Sequence, residues 1–106
     1  MSRPLLYVCA PWRRRTPASI ARTKTLCRKA ADLGWLPLFG PWVFAWLDDA
    51  KPKDRAMGLE LDMNMIEECV ALMVVGETVT EGMAIELKAW TNKGGLVFQD
   101  DVGPPL

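Results

Sequence analysis

A chain of 106 residues, half of them hydrophobic and five of them Trp, is long enough to bury its own core and too apolar to be disordered, so residues 1–106 are read as one domain. No apolar run reaches the length of a membrane span or a secretory leader, which sets the expectation of a cytoplasmic protein with no membrane partner. Net charge is zero, and the lack of histidine removes imidazole bases, Ser–His and Cys–His pairs and the commonest metal ligand.

Leu5 to Ala10 reads as a first strand ended by Pro11. Trp12 to Arg15 is then a loop, and Thr16 followed by Pro17 starts a helix, the hydroxyl capping and the proline taking the first helical position. Ile20, Cys27, Ala30, Ala31 and Leu33 give that helix a buried stripe, and Gly34 ends it. Trp35 to Phe39 is a short second strand, placed at an edge by Pro37. Between Gly40 and Lys53, Trp42, Phe44 and Trp46 alternate as in a strand, but prolines and the pair Asp48, Asp49 bracket them. A loop or short helix over the carboxyl end of the sheet fits as well.

Asp54 to Cys69 is helical, with Met57, Leu59, Leu61, Met63, Met65 and Ile66 covering more than one face. So wide an apolar surface either packs against a second subunit or fills an irregular core with methionine. Leu72 to Val75 is a short apolar strand that stops at Gly76. Thr80 caps a helix whose first turn holds Glu81 and which Gly94 and Gly95 end. Leu96 to Phe98 forms a last strand, and Gln99 to Leu106 is expected to be loose.

Alternating strands and helices imply an α/β fold, a small flavodoxin/Rossmann-like three-layer sandwich with four parallel strands in the order 2-1-3-4. In that order the loops after the first and third strands are neighbours, where open α/β sheets bind ligands. Cys9, Cys27 and Cys69 are odd in number, widely spaced and set among apolar residues, as buried thiols are; no metal and no cofactor is expected. Acid–base chemistry would rest on carboxylates, Tyr7, lysines or water.

Charge is unevenly spread. Arg3, Arg13, Arg14, Arg15, Arg22, Lys24, Arg28 and Lys29 precede any acid, and all 13 acidic residues follow. Arg13, Arg14 and Arg15, at a helix start, suit a phosphate; Lys24, Arg28 and Lys29 are read as solvated or paired helix charges. Glu86 lies one helical turn after Gly82, so the surface before the carboxylate carries no side chain and a ligand can approach. Arginines for phosphate, Trp12 for a base and Glu86 for a sugar would together suit a nucleotide, whose N-glycosidic bond breaks through an oxocarbenium-like state.

The run Tyr7, Val8, Cys9, Ala10, Pro11, Trp12, Arg13 resembles the first-strand motif of the nucleoside 2-deoxyribosyltransferase-like families. Thr80, Glu81, Gly82, Met83, Ala84, Ile85, Glu86 resembles their second motif, and the segment from Gly40 to Cys69 is similar to small bacterial and phage domains of that kind. The resemblance implies Glu86 as nucleophile and Tyr7 as the residue that positions it. Pro11, Trp12, Arg13, Arg14, Arg15, Thr80, Gly82 and Met83 would then bind the substrate. Val70 stands where relatives often carry Asp, so the acid for the leaving base would come from Asp48, Asp49, Asp62 or Glu81.

The expected function is therefore cleavage or transfer at the N-glycosidic bond of a deoxynucleoside or its monophosphate, by a homo-oligomer. A nucleotide-binding module without catalysis is the alternative, and a structural or oligomerisation domain a third reading. Nucleic acid is not an expected partner, because positive charge is confined to one end.

Overall fold

The computed structural model describes residues 2–106. Strand β1 (Leu5–Cys9) lies at the centre of the molecule, and its alternate residues go to opposite faces. Leu6 and Val8 pack with Leu26, Ala30, Trp35 and Phe39, whereas Tyr7 and Cys9 pack with Ile66, Leu72, Met83 and Trp90. The chain continues through α1 (Pro17–Asp32), β2 (Leu36–Leu38), α2 (Gly40–Val43), α3 (Pro52–Glu68), β3 (Ala71–Val74), α4 (Glu81–Lys93) and β4 (Leu96–Gln99). All strand pairings are parallel, in the order β2-β1-β3-β4. The two core clusters place α1 on one face of the sheet and α3 with α4 on the other, the three-layer α/β arrangement expected.

Local chemistry sets most element boundaries. Thr16 Oγ1 accepts from the Ser19 amide at 3.0 Å while Ser19 Oγ accepts from the Thr16 amide at 2.8 Å, so two free donors at the start of α1 are satisfied reciprocally. Helix α3 begins at Pro52, two residues before the expected Asp54, because proline suits the first turn. At its other end Lys93 Nζ donates to the carbonyls of Ile66 at 2.7 Å, Glu67 at 2.6 Å and Cys69. One ammonium thus satisfies three acceptors and ties α4 to α3.

One open reading is resolved and one expectation is corrected. The aromatic alternation after Gly40 does not make a strand: Phe39 meets Trp42 edge-on, and the chain turns through the short helix α2 instead. The tail is not loose. Asp101 pairs with Lys29 at 2.5 Å, Val102 is buried, and Trp35 Nε1 donates to the Gly103 carbonyl at 2.7 Å. These anchors are distant in sequence, so composition near the terminus carried no trace of them. Among the described residues, no helix is long and apolar enough to cross a membrane.

Candidate functional site

The loops after β1 and β3 meet at the carboxyl end of the sheet, where they border a cleft of about 1340 Å³. Pro11, Trp12, Arg13, Arg14 and Arg15 line it from one side, and Thr80, Gly82, Met83 and Glu86 from the other. Tyr7 lies beneath, fully buried, and its hydroxyl donates to Glu86 Oε2. The geometry follows from β-alternation: Tyr7 faces the α3 and α4 side, where α4 carries Glu86 above it.

Each loop has a defined support. Thr80 caps α4 by accepting from the Met83 amide at 3.3 Å, and Met83 is itself a buried core residue. No atom lies within 4 Å of the position a Gly82 Cβ would take, so the space in front of the helix is open. Gly76, with φ +85, starts the loop; its amide donates to Asp100 Oδ1 at 2.8 Å and its carbonyl accepts from Gln99 Nε2 at 3.0 Å. Asp100 is held in turn by Arg22.

The three arginines differ. Arg15 lies over the Trp12 ring at 4.0 Å and donates to the Trp12 carbonyl at 2.9 Å, so one indole face is already covered. Arg13 and Arg14 are exposed on the cleft wall. Of the other early cations, Arg28 and Lys29 pair with Asp32 and Asp101. Arg3 donates to the carbonyls of Ala31 and Trp35.

A second carboxyl group enters from α3. Asp62 lines the cleft, and its Oδ1 is buried without a hydrogen-bond partner. That oxygen occupies the space a Cβ on Gly40 would fill, so glycine at position 40 is what lets α3 bring the acid this close. Of the other acids considered, Asp48 accepts from the Ala50 amide in a turn, Asp49 from the Trp12 indole at 3.2 Å, and Glu81 is exposed. Gly40, part of a run that carries the resemblance, was given no role at the site from sequence. Arg55, Leu59 and Asp62 do share one helical face, a spacing that could have marked Asp62 as facing the cleft.

Burial dominates the electrostatics. It raises Glu86 to about 8 against the opposing hydrogen bond from Tyr7, with the nearby Asp62 adding to the rise. Asp62 is raised to about 6, by burial first and by Asp49 second. Burial, then the Glu86 charge, holds the Tyr7 phenol far above its ordinary value, so it remains a donor. Burial likewise keeps Cys9 a neutral thiol. Two acids displaced upward in one cleft, with a fixed phenol donor, form an arrangement able to hold and move a proton. A smaller depression of about 320 Å³ at the opposite end, lined by Pro4, Trp35, Val70, Leu96, Pro105 and Leu106, has no ionisable side chain.

No curated protein matches the sequence. Residues 4–98 match the family described as Domain of unknown function (DUF7768), and the chain belongs to that family.

Proposed function

We propose that the protein cleaves, or exchanges, the N-glycosidic bond of a deoxynucleoside or deoxynucleoside monophosphate. The observation that carries this reading is the half-buried Glu86 carboxyl, bonded to Tyr7 and sharing its cleft with Asp62, whose Oδ1 has no partner. A module that only captured an anionic nucleotide would gain nothing from two half-buried acids facing the ligand, which cost stability to desolvate. That contrast favours catalysis over binding alone. The motifs around Tyr7 and Glu86, which resemble those of nucleoside 2-deoxyribosyltransferases, support the same chemistry.

In the proposed reaction Glu86, ionised and oriented by the Tyr7 hydroxyl, attacks C1′ of the sugar. The bond from C1′ to the base nitrogen breaks as a carboxylate–sugar ester forms, and Asp62 gives its proton to the departing base. Water then attacks C1′, returns a proton to Asp62 and frees Glu86; a second base in place of water gives transfer. Gly82 leaves room for the sugar, and Arg13 and Arg14 hold a 5′-phosphate beside the start of α1.

Glu86→Ala is expected to abolish release of free base from a deoxynucleoside monophosphate while leaving the fold intact. An unchanged rate, followed by chromatography, would remove the mechanism. We also take the protein to be a homo-oligomer, because Trp42, Trp46, Met57, Leu59, Val79 and Ile85 are exposed apolar residues. Light scattering that returned the mass of a single chain would overturn that part.

A further inference from the structure

We propose that Trp42 is the platform on which the base of the ligand stacks, and that Trp12 braces the cleft instead; this rests on the reading above only in taking the ligand to carry a nucleobase. Trp12 is already engaged on several sides. The Arg15 guanidinium lies 4.0 Å from its ring centroid, its indole N–H donates to Asp49 Oδ2 at 3.2 Å, and Phe39 meets it at 5.9 Å with the two rings nearly perpendicular. A base could use the face beneath Arg15 only by displacing that cation.

Trp42 is free where Trp12 is tied. It lines the cleft, is 38 % exposed, and stands perpendicular to Phe39 at 4.9 Å, so Phe39 can cover at most one of its faces. Phe39 is itself buried in the core below and lies one turn before Trp42, whose amide donates to the Phe39 carbonyl at 3.0 Å. The indole is thus held in position without being covered, and little freedom is lost when a flat ring settles on it. Gly40, two residues earlier, packs against Asp62, which puts α2 beside the acid-bearing wall of the same cleft. Trp46 and Met57 are exposed as well but do not line the cleft, and they remain for a second chain.

The test measures, by calorimetry, binding of the four deoxynucleoside monophosphates and of 2-deoxyribose 5-phosphate, which has the same sugar and phosphate and no base. Glu86→Gln is the background throughout, so that no ligand is cleaved during titration. On it, Trp42→Ala is expected to weaken the tightest-bound nucleotide by about 10- to 100-fold and to leave the sugar phosphate unchanged. Trp42→Phe should recover most of that loss, and Trp42→Leu, apolar but without a ring face, should not. Equal weakening of both ligands, no weakening of the nucleotide, or recovery with leucine would overturn the platform. A background protein that holds no nucleotide more tightly than the sugar phosphate would overturn it too. The glycosidic reading fails on a separate result, the absence of free base from any of the four nucleotides with the wild type, and the binding data then decide the role of Trp42 alone.

Discussion

Glu86 is held between two opposing influences. Burial favours its neutral form, and the Tyr7 hydroxyl favours its anion; burial is the larger. Because its folded value of about 8 lies above the ordinary glutamate value of 4.5, the folded state binds the proton more tightly. The stabilisation is complete below the unfolded value and is lost as pH rises through the folded one, by up to about 1.4 kcal/mol per pH unit for one group. Asp62 contributes the same sign over the lower window, up to about 6. Thermal melting should therefore show stability falling between about pH 5 and about pH 8, and Glu86→Gln should flatten that dependence. A wild-type melting temperature that rose over this range would contradict the burial.

In the proposed reaction the same pair would set the rate profile. Between about 6 and about 8 the two carboxyls share one proton, which rests mainly on Glu86, and the productive form is the minor one with the proton on Asp62 and Glu86 ionised. Base release should follow a bell with limbs near those values, and Asp62→Asn should remove the alkaline loss of the acid while lowering the rate by roughly 100-fold or more. A flat profile would separate Asp62 from the leaving group. Gly40→Ala should act through Asp62, since the added methyl takes the place of its Oδ1.

Between elements, two long-range ties hold the cleft. Lys93 satisfies the last carbonyls of α3, and Lys93→Met should destabilise the protein by about 1 kcal/mol, read by denaturant unfolding, because the half-buried carbonyls of Ile66 and Cys69 lose their donor. Asp100 and Gln99 grip Gly76 from β4, so the loop that leads to Thr80 and Glu86 is anchored outside its own sequence. The elements with signals inside their own span were legible from sequence: Thr16 with Pro17, Thr80 before Glu81, and the alternation of β1 all depend on neighbours along the chain. The segment after Gly40 was open because its aromatic alternation suits a strand equally well until Phe39 is packed against it. The tail was misread because Lys29 and Trp35, which hold it, lie about seventy residues earlier. Asp62 was one acid among several because only the approach of α3 to Gly40 distinguishes it from a solvated helix charge.

At the scale of the whole molecule, the strand order brings two loops together, and the alternation of β1 decides which face supplies their chemistry. The uneven charge in the sequence resolves into separate uses: some early cations fasten α1 and the tail, and Arg13 and Arg14 remain at the cleft. The central claim is that Glu86 forms a bond to C1′ inside this cleft. Its most direct measurement is mass spectrometry of the intact protein and its peptides after incubation with a 2-fluorinated nucleoside monophosphate, whose electron-poor sugar slows breakdown of the ester. A deoxyfluororibosyl adduct on the peptide carrying Glu86, absent from Glu86→Gln, is the predicted result. Release of base with no adduct, or an adduct on another residue, would contradict it.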